Sequence, residues 1–453
     1  MVEESVHAPW TVVTQGTPVS YSQADLMDKL ELVMSHSSEE TTAFLEGSSS
    51  SIADAMIGLL VYVESAHDII RLIRLMDDVI EFDSKSMSAI SDSIKKRDDG
   101  FEPFLRLLQS WSSKNLSLCA EASVVMGKLY VSVSKGNPSD AFNAQVLRLG
   151  EWISDQLADD KVAGSGEIPE TVIVMLLQAL GQMFRVDVAR KLFCLNYPKN
   201  VAIVARLLDA EMHKQVQALY QAVFVLWLLS FASAGETADA VSQAMDVAFV
   251  PRRLSLLLRE VTAEKVVRVC VATLNNLTKD KFSPRLRREM VGAGISKTVE
   301  QLCVRRWADI DILNDMASLG ESLHEEKKLM SSFEVYHHEV LSGALQWTHV
   351  HSDDMFWRDN VERMEKNNME VLRCLVRLLN QSSDPVVLSV ACNDLGMFVK
   401  YHPRGRYIAQ SLGMKKKLML LMSHENADVR RHALNCVQVL MITHWDMIQK
   451  AAN

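Results

Sequence analysis

The stretch Asp384-Pro385-Val386-Val387-Leu388-Ser389-Val390-Ala391 is echoed 42 residues later by Asn426-Ala427-Asp428-Val429-Arg430-Arg431-His432-Ala433. Both read Asx-x-x-Val-x-x-x-Ala. An Asx side chain ahead of a helix accepts from the free amides of the first turn. Val and Ala four residues apart then leave a thin apolar edge where a second helix can pack closely. Glu264-Lys265-Val266-Val267-Arg268, continued by Val271 and Leu274, repeats this start, and Asn115-x-x-Leu118-x-x-x-Ala122 follows it more loosely.

A period near 42 residues belongs to HEAT and armadillo arrays, whose helix hairpins stack into a superhelix. Val271-Ala272-Thr273-Leu274-Asn275-Asn276-Leu277 also resembles the armadillo A-L-x-N-L ending. Composition agrees. Of 453 residues 48% are apolar and 23% charged, with only 18 Gly and 10 Pro, where average usage would give about 32 and 23. So few breakers argue against a turn-dense β sandwich or barrel. Leu372, Leu375, Val376 and Leu379 recur at helical spacing with Arg373 and Arg377 opposite. Thr171–Leu180 and Val216–Phe231 are apolar nearly all round, as helices covered on several sides are. No alternating strand is legible. The expected fold is all-α, a HEAT/armadillo-like solenoid with a large N-terminal and a smaller C-terminal domain.

Breaker clusters at Gly47–Ser51, Lys135–Asp140, Asp159–Pro169, Asn196–Asn200, Ala234–Thr237, Lys279–Pro284, Ser382–Pro385 and His402–Gly405 mark expected helix ends. Pro9, Gly16 and Pro18 make residues 1–20 an irregular arm. Residues 21–345 form the expected N-terminal domain and 356–453 the C-terminal one. Between them, the polar stretch Gly343–Asp354 holds a linker at 346–355, and a small interface there predicts hinge motion.

Seven scattered cysteines without a CxxC predict reduced core thiols rather than a disulfide framework or a zinc knuckle. The acidic start MVEESVHAPW has no apolar h-region and reads as no signal peptide. The uncharged stretch Gln215–Gly235 is densest over about ten residues, short of the roughly 20 a spanning helix needs, and reads as a buried core helix of a soluble chain. The net charge of −9 disfavours a basic nucleic-acid binder.

Catalytic signatures are not found. Gly292-Ala293-Gly294-Ile295-Ser296-Lys297-Thr298 lacks the Gly before Lys and the preceding strand that a phosphate loop requires. Gly164-Ser165-Gly166 reads as a flexible loop without a GxGxxG continuation. There is no HExxH; His337 and His338 are adjacent on a helix, point about 100° apart, and read with Glu339 as solvated or capping residues. The 23 Met fall on apolar faces and read as pliable core filling. No metal, cofactor or catalytic site is expected, and the chain reads as a non-enzyme.

Charge is instead concentrated. Residues 251–306 carry 13 Lys and Arg against 5 Asp and Glu, a local excess of +8 that leaves −17 for the rest. Arg252, Arg253, Arg285, Arg287 and Arg288, with Arg305 and Arg306, read as a docking strip for an acidic helix or as a solvated face. A second cluster, Arg404, Arg406, Lys415, Lys416 and Lys417, follows His402-Pro403-Arg404-Gly405, itself readable as a helix-ending turn.

Trp347-Thr348-His349-Val350-His351-Ser352, then Phe356-Trp357-Arg358-Asp359-Asn360, resembles the W-S-P-V-H … F-W-x-E-N passage of the H-subunit family of vacuolar-type proton-pumping ATPases. The likeness continues through Ser383-Asp384-Pro385, an Asn393-Asp394-Leu395-Gly396 turn, Tyr401-His402-Pro403-Arg404-Gly405, His424-Glu425, Val429-Arg430, Ala433-Leu434, Val437–Met441 and Trp445. Ser331–Tyr336 and Val225–Phe231 are similar upstream. Thr348 and Asn393 depart from the family, which favours Ser and His there. The resemblance implies a two-domain helical-repeat protein without catalytic activity, on the cytosolic side of acidic-organelle membranes. Its N-terminal domain would bind the peripheral stalk, built of the E and G subunits. Its C-terminal domain would reach the cytosolic part of the membrane-embedded a subunit, or the B subunit and the central rotor once the catalytic sector detaches, where it silences ATP hydrolysis. From the repeats alone, a transport adaptor binding peptide cargo is the alternative, although Asn275 and Asn276 are the only hint of an adaptor's Asn ladder.

Overall fold

The computed structural model describes residues 8–35, 38–136, 139–158, 168–209, 212 and 214–441. Residues 1–7 of the arm, Gly164–Gly166 and Trp445 lie outside them. The described chain is helical, and no strand occurs among the described residues. It divides into two compact units, Met1–Ala248 and Phe249–Asn453.

The first unit comprises α1 (Trp10–Val13), α2 (Tyr21–Met34), α3 (Ser38–Tyr62), α4 (Ala66–Phe82), α5 (Ser84–Lys96), α6 (Glu102–Trp111) and α7 (Leu116–Val133). These are followed by α8 (Asp140–Gln156), α9 (Glu170–Met183), α10 (Asp187–Asn196), α11 (Pro198–Arg206), α12 (Val216–Leu229) and α13 (Glu236–Val247). Helices α4, α7, α9 and α12 pack in succession, as equivalent helices of stacked repeats do. The second unit runs α14 (Val250–Glu260), α15 (Glu264–Leu277), α16 (Pro284–Gly292), α17 (Ile295–Cys303), α18 (Ile310–Leu329) and α19 (Ser332–Ser342). It continues through α20 (Asp354–Asn360), α21 (Lys366–Gln381), α22 (Pro385–Tyr401), α23 (Gly405–Ser411), α24 (Met414–Leu421) and α25 (Ala427–Met441).

The repeat starts behave as their chemistry dictates. Asp384 accepts from the Val386 amide at 2.8 Å, Asn426 from Asp428 at 2.9 Å, and Asn115 from Leu118 at 3.1 Å. Val387, Ala391, Val429 and Ala433 are all buried where α22 packs on α25. Glu264 does something else. Its carboxylate crosses to the next repeat and accepts from the Ala308 and Asp309 amides at 2.8 and 2.9 Å, capping α18. Glu170 caps α12 in the same way through the Gln217 and Ala218 amides, and Asp187 accepts from the Ser233 amide and the Thr237 hydroxyl at the start of α13. Each places a carboxylate at a helix N-terminus, where orphan amides and the macrodipole favour it.

The sequence period thus reappears as a spacing of side-chain bonds. Arg74–Glu121, Arg148–Glu102, Arg287–Glu326, Asn275–Asp315 and Trp152–Ser112 all join residues 39 to 47 apart.

Three expectations change. Gly47–Ser51 does not end a helix: α3 runs through it, because Leu45, Ile52 and Ala53 bury one face and outweigh the weak propensity of Gly and Ser. Asn393–Gly396 is not a turn but the middle of α22, where Gly396 faces Cys436 of α25. The described part of the arm is anchored rather than irregular. Trp10 begins a helical turn, is fully buried beneath the Arg71 guanidinium at 4.4 Å, and hangs with Thr11 on the Asp28 carboxylate.

By length and composition α3 and α7 could cross a membrane; within the fold 44% and 67% of their most apolar windows are buried. Helix α12, from the uncharged stretch, buries Ala218, Leu219, Ala222, Val223, Val225, Leu226 and Leu229.

Candidate functional site

The segment 346–355 lies inside the second unit; Thr348, His349, Ser352 and Asp354 are exposed, but its centre turns inward at His351. His351 is fully buried. Its Nδ1 sits 3.0 Å from both oxygens of Asp394, itself fully buried on α22, and Asn393 donates to the His351 carbonyl at 2.8 Å. On the other side, Nε2 faces Glu339 of α19 at 3.4 Å, an ionic contact short of hydrogen-bond geometry. Glu339 accepts from the Gln346 amide at 3.0 Å. Tyr336 donates to Asp394 at 3.1 Å and meets Phe356 and Trp357 edge-on, while the Trp357 indole donates to Val350 O at 3.0 Å. Trp347 lies against His432 of α25.

The residues that carried the family likeness therefore converge on one knot tying the segment to α19, α20, α22 and α25. Burial opposes charge on His351, but Asp394 and Glu339 together outweigh it and push the imidazole up to about 10. Burial also raises the Asp394 carboxyl against the pull of His351. The expectation that His337–Glu339 are solvated or capping fails for the last two: Glu339 is buried in the knot, and burial pushes half-buried His338 down to about 4. His338 packs on Gly292, where a Cβ would come within 2.6 Å of it.

The central basic strip does not form one free face. Arg252 lies beneath Gly343 and Leu378, with burial lowering its pKa, and Arg253 is half-buried. Arg287 bonds Glu326 at 2.9 Å and Thr278 O at 3.0 Å, and Arg288 reaches the same buried Glu326 at 3.2 Å. Arg285 is exposed. Much of this charge balances acids one repeat away.

The C-terminal cluster is different. Arg404, Arg406, Lys415 and Lys416 are exposed and Lys417 half-exposed, on the consecutive helices α23 and α24 or just before them. Arg404 reaches Glu365 at 3.2 Å but its side chain remains 70% exposed. The His402–Gly405 turn is rigid: His402 bonds Glu365 at 2.9 Å, and a Cβ on Gly405 would meet Val399 Cα at 2.8 Å. On the same two helices Tyr407, Met419 and Leu420 are 74, 54 and 64% exposed, apolar surface that charge counting along the sequence does not reveal. The signal was present in Leu418-Met419-Leu420-Leu421-Met422: Met414, Leu418 and Leu421 complete the buried face, leaving a surplus. Cations around exposed apolar side chains suit an acidic protein surface. Among the described residues no group of three His, Cys, Asp or Glu could hold a metal ion.

Two family models, both described as the H subunit of the V-ATPase, match residues 4–323 and 329–445. The probable H subunit of the V-type proton ATPase of Oryza sativa subsp. japonica is 32% identical, over 82% of this chain and 81% of its own. The H subunit of the V-type proton ATPase of Drosophila melanogaster is 29% identical, over 95% of this chain and 88% of its own. The crystal structure of an engineered protein superposes with a TM-score of 0.50 at 14% identity, covering 95% of this chain and 98% of that one, a likeness of fold.

Proposed function

This chain belongs to the V-ATPase H-subunit family, and from that premise we propose that it is a non-catalytic regulatory component of the proton pump's catalytic sector. It works on the cytosolic face of vacuolar, lysosomal or endosomal membranes. Region 21–345 holds the E/G peripheral stalk, and region 356–453 meets the cytosolic domain of the membrane-embedded a subunit in the assembled pump. In the detached catalytic sector that second region grips the B subunit and the central rotor, so that a body tied to the stator blocks rotation and ATP hydrolysis stops.

The observation that supports this reading best is the exposed cation–apolar face of α23 and α24, held on a rigid turn. Two docking surfaces compete for it, and a difference of a few kcal/mol between them decides which state prevails. The test is ATPase inhibition of the purified detached sector by added chain. R404E/R406E should raise the concentration needed for half-inhibition about tenfold, since each reversed rim charge trades attraction for repulsion, with an unchanged melting temperature. Unaltered inhibition by a folded variant would remove this face from the mechanism.

A further inference from the structure

A cleft of 410 Å³ opens in the first unit between α6 and the turn joining α3 to α4. Its walls mix apolar side chains, Val61, Ile69, Pro103, Leu107 and the half-buried Trp111 ring, with polar ones in about equal measure. Val61 and its neighbour Tyr62 are 36 and 42% exposed, so the apolar surface is left open. Two exposed cations, Arg106 and Lys114, line the same cleft. Neither makes an ion pair among the described residues. Lys114 rests over the Trp111 ring at 5.2 Å. Asp99 feels the charge of Arg106, but its carboxylate is held by Arg97 at 2.7 and 2.9 Å. Across the cleft stands a single acid, Glu64.

Where Arg74, Lys128, Arg148 and Lys191 of the same unit pair with acids a repeat away, Arg106 and Lys114 stand beside a partly apolar cleft without such a partner among the described residues. We infer that this cleft docks an acidic amphipathic helix of a partner protein, with an apolar ridge against Leu107 and Trp111 and carboxylates toward Arg106 and Lys114. Helix-in-groove recognition needs this combination of apolar channel and flanking charge. A concave cleft of 410 Å³ suits an inserted ridge of side chains better than a flat lipid surface. The inference does not rest on the pump reading, because the cleft's chemistry selects such a helix whatever assembly supplies it.

The probe is a fluorescein-labelled helical peptide with leucines along one ridge and glutamates on one flank, titrated with the full chain by anisotropy. A version with lysines for glutamates and phosphatidylserine vesicles serve as the other arms. The acidic peptide should bind, the lysine version at least about tenfold more weakly, and R106E/K114E should weaken the acidic peptide by about tenfold or more. These two side chains are exposed, so the variant should keep the parent's circular dichroism and melting temperature. W111A should weaken both forms of the peptide alike. Binding of the acidic peptide that ignores R106E/K114E, equal binding of the lysine version, or no binding at all overturns the inference. Vesicle binding lost on R106E/K114E also overturns it, in favour of a membrane surface.

Discussion

Replacing Asp394 tests whether the knot around His351 holds the second unit together. In the native chain Asp394 receives Tyr336 and His351 in a site without exposure. Asp394→Ala strands a buried imidazolium with Glu339 alone, at 3.4 Å, and leaves the Tyr336 hydroxyl unpaired. Breaking one side of a buried pair costs about 3–5 kcal/mol. Asp394→Asn keeps an acceptor for Tyr336 but not the charge, and should cost about half as much. The pH dependence adds a sharper criterion. His351 has an unfolded pKa of about 6.5 and is pushed up to about 10 in the fold. A group raised on folding binds its proton more tightly in the native state, so its contribution is complete below about pH 6.5 and is lost as pH rises toward 10. The loss in that window is about 1.4 kcal/mol per pH unit. The Asp394 carboxyl is also raised, and its sign is the same. Guanidinium denaturation of the wild type and of Asp394→Asn at half-unit steps from pH 6 to 10 measures both effects. The wild type should weaken with rising pH and the variant should be flatter. A flat wild-type profile, or an Asp394→Ala variant within about 1 kcal/mol of the parent, refutes the reasoning.

The capping carboxylates predict that Glu264→Ala destabilises by about 1–2 kcal/mol, read as a shift in denaturation midpoint. Glu264→Gln should recover part of it, because an amide oxygen still accepts from Ala308 and Asp309. The first turn of α21 is left-handed at Asn367, Asn368 and Met369, with φ of 49°, 56° and 59°. Asn368 is exposed, so Asn368→Gly relieves backbone strain without emptying the core and should raise stability by about 0.5–1 kcal/mol.

The helices were legible because burial on one face leaves a 3.6-residue rhythm, and the repeat was legible because Asx caps with Val and Ala recur at fixed spacing. What escaped reading was set by partners distant in sequence. Gly47–Ser51 reads as a breaker until the burial of Leu45 and Ile52 is known. Gly396 reads as a turn, although it lies in the middle of α22 and faces Cys436 of α25. The segment 346–355 reads as a linker because it is polar, yet one of its residues, His351, is drawn into the core by Asp394 and Glu339. Arg252, Arg287 and Arg288 read as a strip because linear charge density cannot reveal Glu326 or the partial burial of Arg252. The cluster at Arg404–Lys417 was legible as charge alone, while Tyr407, Met419 and Leu420 needed the fold to show which faces α23 and α24 turn outward.

The knot also bears on how region 356–441 could exchange partners. A hinge at 346–355 would have to part His351 from Asp394 or Glu339. At about 3–5 kcal/mol for a broken buried pair, the opened form would occupy about one molecule in a few hundred to a few thousand. A partner could still draw it open, but only by binding the open form better by more than that amount. A swing that keeps the knot costs none of this, provided that α19, segment 346–355 and α20, α22 and α25 travel as one body. The side chains that make the sequence resemble its family, Trp347, His351, Phe356 and Trp357, are thus the ones that make this body rigid. Substitutions that alter docking without loosening the fold therefore belong on the exposed residues of α23 and α24.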